Sequence, residues 1–214
     1  MIRGVIFDLD GVIADTERLQ WAAYRDVLLG FGVDVGIEEY RRHWIRDGLG
    51  PEYACRTYAL PIDPDELRVR KAARYEGMLR DGIAPCPGAV AALARLHRTH
   101  RVGLATNTAR VEVGFILAQL GVAPFFHATV AREDYARAKP APDAYLAAAA
   151  ALGLAPAECA VIEDTERGMR AALAAGARVV AVPNALTFDN DFTGAACRLA
   201  HLDELTPELL DALG

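Results

Sequence analysis

The sequence predicts an α/β protein whose core is a doubly wound, Rossmann-like parallel sheet with an inserted helical cap domain. Short apolar runs alternate with segments of helical periodicity from about residue 85 onward. The runs are too uniformly apolar for half-exposed strands and suit strands that are buried on both faces. A stretch with no strand pattern separates the first apolar run from the second, which indicates the insertion.

Local signals define each element in turn. The predicted strands are Gly4–Phe7, 102–105, Ala128–Val130, 159–162 and 179–182. The predicted core helices are 87–98, 109–120, 142–152 and Glu166–Ala175. Pro87 and Pro142 suit helix starts, whereas Gly121, Gly153 and Gly176 suit helix ends.

Between the first two strands the pattern is helical throughout. The predicted helices there are Glu17–Leu29, 37–45, 52–58 and 64–80. We therefore divide the chain into a catalytic core of residues 1–14 and 82–214 and a cap of residues 15–81. An insertion at the carboxyl end of a strand lies over the crevice where open α/β sheets bind ligands, so we interpret this one as a cap or lid.

Composition excludes several functional classes. The 214 residues are 53% hydrophobic and 24% charged, which is typical of a folded domain. A net charge of -6 argues against sequence-independent binding of nucleic acid, and no apolar stretch approaches the ~18 residues of a membrane span. Because the strand pattern begins at once, no secretory leader is expected, and the four cysteines form no CxxC pair. A cytoplasmic protein without nucleic-acid or membrane partners is expected.

The first segment that carries chemistry is 5–12, in which Asp8 and Asp10 end a buried strand just before Gly11. Buried carboxylates need compensation, which a bound Mg²⁺ would supply. One aspartate would then attack an electrophile while the other moves protons. The alternative is a strand-ending turn in which Asp caps the next segment.

Three further segments follow predicted strands or lead into helices. Thr106 and Asn107 would hold phosphate oxygens at a helix start, or would only cap that helix. Lys139, one of two lysines beside 21 arginines, would neutralise phosphate or the aspartates, or would be a solvated loop residue. Glu163 and Asp164 would add metal ligands, or would be acids favoured at a helix N-terminus.

The four segments taken together favour the chemical interpretation of each. All of them fall at the carboxyl ends of predicted parallel strands or in the loops of that edge, where such ends line one side of a sheet. Paired acids, a hydroxyl and amide donor set, a lysine and a second acid pair form a coherent set for phosphate on magnesium.

This ordered set resembles the haloacid dehalogenase-like hydrolase superfamily. Residues 8–12, 106–107, 139–140 and 163–164 are similar to its four motifs, in order and spacing. The helical insertion resembles the cap of the branch that holds phosphoglycolate phosphatase, beta-phosphoglucomutase and related sugar phosphatases. Pro183–Asn184 and residues 191–195 also resemble the tail of those sugar phosphatases and mutases.

The resemblance implies a role for each matching residue. Asp8 would be the nucleophile that becomes an aspartyl-phosphate, and Asp10 the general acid and base whose carbonyl also binds Mg²⁺. Thr106, Asn107 and Lys139 would bind the transferring phosphoryl group. The metal site would comprise Asp8, Asp10, Glu163 and Asp164.

Within the family we expect a Mg²⁺-dependent phosphatase acting on a small phosphorylated metabolite. The alternative is a phosphomutase like beta-phosphoglucomutase, but Gln20 stands where that family usually has histidine, and the cap lacks its Gly-x-Ser-Arg-like loop. A third interpretation is a non-catalytic protein that binds a phosphorylated ligand or a partner. It predicts the loss of Asp8 or a metal acid, and all of them are present. A phosphonate hydrolase would need Lys71 as a cap lysine, and its arginine neighbours indicate a solvated helix face instead.

Substrate choice is expected to depend on the cap. Arg46 would grip a second phosphate or a carboxylate of the substrate, while Trp44 would either face the site or pack in the cap core. Phosphoglycolate, a hexose or pentose phosphate and a nucleotide monophosphate all fit the pattern. A monomer is compatible with the sequence, because a cap encloses the site without a partner subunit.

Overall fold

The computed structural model describes residues 1–214, which form two compact units. The first unit comprises Met1–Asp15 and Ala84–Gly214, and the second is Thr16–Ile83. The chain therefore leaves the first unit after its first strand and returns to it about 70 residues later.

The first unit is built on a six-stranded parallel sheet, which confirms the α/β prediction. Its strands are β1 Gly4–Phe7, β2 Arg101–Ala105, β3 Ala128–Val130, β4 Cys159–Glu163, β5 Arg178–Ala181 and β6 Cys197–Arg198. Their order across the sheet is β3-β2-β1-β4-β5-β6. The order reverses at β1, whose Phe7 pairs with Leu104 of β2 on one side and with Ile162 of β4 on the other. Open sheets bind ligands at such a switch point.

Five helices complete this unit: α5 Ala89–Leu96, α6 Arg110–Gln119, α7 Asp143–Leu152, α8 Glu166–Ala175 and α9 Pro207–Ala212. The alanine-rich face of α7 packs closely on the apolar strands, where Ala148 and Ala149 share one buried cluster with Ile6 and Val161. Small side chains on the helix allow this close approach to bulky β-branched residues on the sheet.

The second unit contains α1 Glu17–Leu29, α2 Ile37–Tyr40, α3 Pro51–Thr57 and α4 Pro64–Asp81, and no strand. Helix α4 begins at Pro64 after Asp63, whose carboxylate accepts a hydrogen bond from Glu66 N at 2.8 Å. The predicted helix 37–45 is wrong as a single α-helix, because residues Arg41–Arg46 form a π-helical turn. In this turn the Trp44 ring stacks on the Tyr40 ring, with centroids 5.6 Å apart.

Several element bounds differ from the prediction. The helix expected at 87–98 starts only at Ala89, because Gly88 has a φ of +79° that a helical residue does not adopt. The last predicted strand lies at Arg178–Ala181 rather than 179–182. Strand β6 and helix α9 were not predicted at all. None of the helices combines the length and apolarity that crossing a membrane requires.

Candidate active site at the carboxyl edge of the sheet

The residues singled out in the core sequence lie at one edge of the sheet. Asp8 follows β1 directly, Thr106 follows β2, and Glu163 ends β4. The register of these neighbouring strands keeps their carboxyl ends at the same level. Lys139 lies in the loop before α7, and its ammonium reaches the same edge.

Lys139 is the centre of a buried ion-pair network. Its Nζ donates to Asp8 Oδ1 at 2.6 Å and to Glu163 Oε1 at 2.8 Å. The carbonyl oxygen of Ala105, at 3.0 Å, and the hydroxyl oxygen of Tyr145, at 2.7 Å, also lie within hydrogen-bond distance of Nζ, so its three N–H groups are shared among four acceptors. The solvated-loop alternative for Lys139 is wrong, because the residue is only 6% exposed. A buried ammonium needs such partners, since an unpaired charge there is costly.

Burial and neighbouring charges set the protonation of this network. Burial opposes the charge of Lys139, but Asp8 and Glu163 outweigh it and raise the pKa of the ammonium. Burial raises the pKa of Asp8 to about 7 against the opposing charge of Lys139, with Glu163 and Asp10 adding to the rise. For Glu163, burial favours the neutral acid, yet Lys139 reverses the effect and lowers the pKa. Asp8 is thus the less compensated of the two carboxylates that Lys139 contacts.

Glu163 is held on both carboxylate oxygens. Besides the ammonium, Oε1 accepts a hydrogen bond from the Tyr145 hydroxyl at 2.5 Å. Oε2 accepts from the backbone N–H groups of Asp164 and Thr165, at 3.1 and 3.2 Å, and from the Thr165 hydroxyl at 2.9 Å. A Cβ at Gly168 of α8 would overlap this carboxylate, so glycine makes room for it. The position of Glu163 is therefore fixed by charge, hydrogen bonds and packing together.

Asp10 faces the hydroxyl groups that follow β2. Its Oδ2 accepts a hydrogen bond from Thr108 Oγ1 at 2.5 Å and from Thr106 Oγ1 at 3.3 Å. The backbone N–H of Thr108 donates to Thr106 Oγ1 at 3.1 Å. Both threonines are buried, whereas Asp10 is intermediate in exposure. The carboxylate of Asp10 is thus oriented by protein hydroxyls, and the residue is not fully buried.

The side chain of Asn107 is anchored at its carbonyl end. Oδ1 accepts hydrogen bonds from the Tyr135 hydroxyl at 2.7 Å and from the backbone N–H of Lys139 at 3.2 Å. The backbone N–H of Lys139 can only donate, so the side-chain atom that faces it is the amide oxygen. Because donors hold the side-chain carbonyl of Asn107, its amide N–H groups can donate to another acceptor. A residue that binds phosphate needs such donors.

Three acids of the edge form a cluster with metal-binding geometry. Asp8, Glu163 and Asp164 each present a carboxylate oxygen within 4.8 Å of the others. Their exposures are 8%, 1% and 0%. Hard oxygen ligands of this kind suit Mg²⁺, and one ammonium does not balance three buried carboxylates. The residues present therefore fit a magnesium ion.

The residues that the sequence singled out in the second unit differ from one another in exposure. Arg46 is exposed, and its Nε is 3.2 Å from Asp47 Oδ1. Trp44 is only 7% exposed and packs among tyrosine rings, which confirms the core interpretation for this residue. The solvated-face interpretation is wrong for Lys71, which is half-buried, donates to Gln20 Oε1 and lies 4.6 Å from the centroid of the Tyr75 ring.

The structure adds residues that the sequence did not single out. Tyr145 contacts both Lys139 and Glu163, and Tyr135 orients Asn107. Only the position of Tyr145 just after the lysine loop, six residues beyond Lys139, hints at its role. Two other positions received no role from the sequence: Asn184, which lies inside a segment noted there, and Thr108, which directly follows one.

A comparison with protein families places this site in context. A family model described as haloacid dehalogenase-like hydrolase matches residues 2–176. The matched range contains every core residue of the predicted site, from Asp8 to Asp164.

Individual relatives extend the match over nearly the whole chain. The sequence is 32% identical to the fructose-1-phosphate phosphatase YqaB of Escherichia coli (strain K12), over 84% of this chain and 95% of that protein. It is 31% identical to the beta-phosphoglucomutase of Bacillus subtilis (strain 168), over 98% of this chain and 94% of that protein. Among solved structures, CbbY from Rhodobacter sphaeroides in complex with phosphate matches with a TM-score of 0.85 at 30% identity, covering 99% of this chain and 100% of that one.

Proposed function

Because the chain belongs to the haloacid dehalogenase-like hydrolase family, we propose that it is a Mg²⁺-dependent phosphatase of small phosphorylated metabolites, of the sugar phosphate or phosphoglycolate type. Asp8 is the nucleophile, and the reaction passes through an aspartyl-phosphate. The observation that carries this proposal is the buried contact of 2.6 Å between Lys139 Nζ and Asp8 Oδ1. An ammonium held on a carboxylate at the sheet edge is suited to bring a phosphate dianion against that carboxylate.

The first step transfers the phosphoryl group to the protein. A carboxylate oxygen of Asp8 attacks phosphorus, and the bond from phosphorus to the ester oxygen breaks. The transition state spreads negative charge over the phosphoryl oxygens, so positioning and cations contribute most to catalysis. Lys139 supplies one fixed positive charge, and the donors of Thr106 and Asn107 hold the remaining oxygens.

Asp10 moves the protons in both steps. In the first step its protonated carboxyl gives a proton to the departing ester oxygen, which leaves as an alcohol. In the second step the Asp10 carboxylate takes a proton from water, whose oxygen attacks phosphorus and releases Asp8 and inorganic phosphate. The hydrogen bonds from Thr106 and Thr108 support this role, because they orient the Asp10 carboxylate without burying it.

The metal site is proposed at Asp8 and Asp164 of the acid cluster, beside Glu163, with the main-chain carbonyl of Asp10 as a further ligand. Bound Mg²⁺ supplies positive charge that neutralises the phosphoryl oxygens and orients them for in-line attack. Support comes from the three carboxylate oxygens within 4.8 Å of one another. Asp8 and Asp164 carry the direct ligands in this proposal, while the donors on both oxygens of Glu163 favour a role in holding Lys139.

The substrate class is proposed from the relatives. The fructose-1-phosphate phosphatase and the CbbY structure with phosphate support a phosphorylated sugar or a similarly small ester. Arg46 is proposed to bind a second anionic group of that substrate. An Arg46→Ala variant is expected to raise KM by roughly 10-fold, as loss of a charge-assisted hydrogen bond would, with little change in kcat.

The decisive test is phosphate release from a panel of small phosphate esters in the presence of Mg²⁺, including beta-glucose 1-phosphate and phosphoglycolate. The Asp8→Asn variant is expected to lose release while keeping its fold. Asp34→Asn is the matched control, because Asp34 is exposed and pairs with Arg25 of its own unit. Phosphate release by Asp8→Asn at the wild-type rate would refute the role of Asp8.

Phosphomutase activity is the second candidate, favoured by the 31% identity to the beta-phosphoglucomutase over 94% of that protein. A mutase must protect its phospho-enzyme from water, and Gln20 stands in place of the histidine usual in that group. A coupled assay for glucose 6-phosphate separates the two candidates. Formation of glucose 6-phosphate without free phosphate would replace the phosphatase proposal with the mutase.

A further inference from the structure

Asn184 follows β5 and contacts the loops that follow two other strands, β4 and β1. Its amide Nδ2 donates to Asp164 Oδ2 at 2.8 Å and to the carbonyl oxygen of Gly11 at 3.3 Å. The first contact reaches the loop after β4, and the second reaches the loop after β1. One amide group thus ties together the two loops that carry Asp164 and the Asp8–Asp10 pair.

Asp164 needs such a tie because it lies in a tight space. The residue is 0% exposed. Gly11 has a φ of +77°, and a Cβ built there would lie 2.9 Å from Asp164 Cγ and 2.9 Å from Asn184 Nδ2. The carboxylate is therefore packed against bare backbone on one side and hydrogen-bonded to the amide on the other. A buried carboxylate without donors would be expensive in free energy.

The segment after Asn184 is folded so that this amide keeps its direction. Asn184 Oδ1 accepts a hydrogen bond from Leu186 N at 2.8 Å, and the Asn184 N–H donates to Thr187 Oγ1 at 2.9 Å. The carbonyl of Asn184 accepts from Thr187 N at 3.1 Å. This is an Asx-type turn, in which the side-chain oxygen accepts a hydrogen bond within the turn. The amide nitrogen points away from the turn, toward Asp164 and Gly11.

We infer that Asn184 is a positioning residue that holds the Asp164 carboxylate in the orientation required to bind a divalent cation. The inference rests on the proposed metal site and deepens it by one residue. Carboxylates that bind metals are generally oriented by hydrogen bonds from a surrounding group, and loss of such a group weakens metal binding about 10- to 100-fold. Asn184 touches neither the scissile phosphate nor the reacting atoms in this scheme; it acts through Asp164.

The test is metal binding itself, measured by isothermal titration calorimetry of Mg²⁺ into protein freed of metal with EDTA. Asn184→Ala removes all side-chain contacts. Asn184→Ser keeps a hydroxyl that can accept from Leu186 N but is too short to reach Asp164, so it preserves the turn if the alanine variant folds poorly. Asn190→Ala is the matched control, because Asn190 is a buried asparagine of the same segment that instead accepts from Glu166 N.

Both Asn184 variants are expected to raise the dissociation constant for Mg²⁺ about 10- to 100-fold. In assays of phosphate release, the Mg²⁺ concentration needed for half-maximal activity should rise in parallel, while the substrate KM at saturating Mg²⁺ stays within about 2-fold. Asn190→Ala should lower Tm and leave the Mg²⁺ dissociation constant within about 2-fold of wild type.

Three results would overturn the inference, and they are distinguishable. If Asp164→Asn abolishes Mg²⁺ binding but both Asn184 variants bind normally, the metal site stands and the role of Asn184 is wrong. If Asn190→Ala weakens binding as much as Asn184→Ala, the effect is one of general stability. If Asp164→Asn binds Mg²⁺ like the wild type, the proposed metal site itself fails, and the inference fails with it.

Discussion

Replacing Gly168 with alanine is expected to dislodge Glu163 from the centre of the site. Gly168 lies in the first turn of α8 and is buried. The Cβ that alanine adds would overlap the Glu163 carboxylate, which is itself held between Lys139 and Tyr145. The backbone of the helix is not free to retreat, because Gly168 N donates to Thr165 Oγ1 at 3.1 Å. The carboxylate must therefore move.

The size of the effect follows from two opposing contributions. Alanine improves helix propensity over glycine by about 1 kcal/mol. Breaking a buried ion pair costs about 3–5 kcal/mol. The free energy of unfolding should therefore fall by about 3 kcal/mol, and for a chain of this size Tm should fall by about 6–12 °C. The value of kcat should fall as well, because Lys139 loses the partner that holds it beside Asp8.

The assay pairs thermal unfolding with phosphate release, and α6 supplies the control. Gly114 lies in that helix with nothing within 4 Å of a Cβ built there. Gly114→Ala should therefore raise the free energy of unfolding by up to about 1 kcal/mol and leave kcat unchanged. The two substitutions are chemically identical, so opposite effects on the free energy of unfolding would be due to the Glu163 carboxylate.

A Gly168→Ala variant with wild-type or higher Tm and unchanged kcat would refute this reasoning. It would mean that Glu163 moves at no cost, and hence that its contacts with Lys139 and Tyr145 contribute nothing measurable. A lower Tm with unchanged kcat would mean that the contacts of Glu163 stabilise the fold but do not contribute to catalysis.

Four other outcomes are expected. Tyr145→Phe keeps the ring but removes the hydroxyl between Lys139 and Glu163, and should lower kcat about 10-fold or more; steady-state kinetics with kcat equal to wild type would contradict this. EDTA should stop phosphate release and Mg²⁺ restore it, whereas turnover indifferent to EDTA would rule out the metal site. Because burial raises the pKa of Asp8 from 3.8 in the unfolded chain to about 7, the protonated form of Asp8 favours the folded state. In EDTA this contribution to the free energy of unfolding should be complete below about pH 4 and lost as the pH rises through about 7. An identical pH profile of unfolding in Asp8→Asn would contradict the shift. Leu93→Ala, at a fully buried position of α5, should cost about 3–5 kcal/mol in urea unfolding, and a loss below 1 kcal/mol would contradict its burial.

The sheet and the order of its site segments could be predicted because burial on both faces leaves a clear pattern. Strand β1 is apolar along its whole length and β4 is apolar up to its last residue, and the first polar residue of each segment marks the carboxyl edge. Asp8 and Glu163 stand at those places in the sequence. Strand β6, by contrast, is only the pair Cys197–Arg198, partly exposed, and two residues carry no periodicity to detect.

Contacts between distant segments could not be predicted in the same way. Tyr145 lies on an alanine-rich helix whose pattern gives its burial but not the partners of its hydroxyl. Lys71 has arginines on both sides in the sequence, yet its side chain turns inward to Gln20 and the Tyr75 ring, because a long side chain can bury its stem where its neighbours do not. The π-helical turn at Arg41–Arg46 and the stacking of Trp44 on Tyr40 are likewise features that helix propensity does not encode.

The central place of β1 in the sheet has a consequence for synthesis on the ribosome. This strand is made first, but its neighbours β2 and β4 end only at Ala105 and Glu163. At roughly 5–20 residues per second, β1 waits about 8–30 s for its second neighbour to be translated. During that interval residues 16–83, whose Leu67 and Tyr75 are fully buried, have all been synthesised. The nascent chain therefore carries β1, and Asp8 directly after it, without a complete pair of neighbouring strands until Glu163 has been translated.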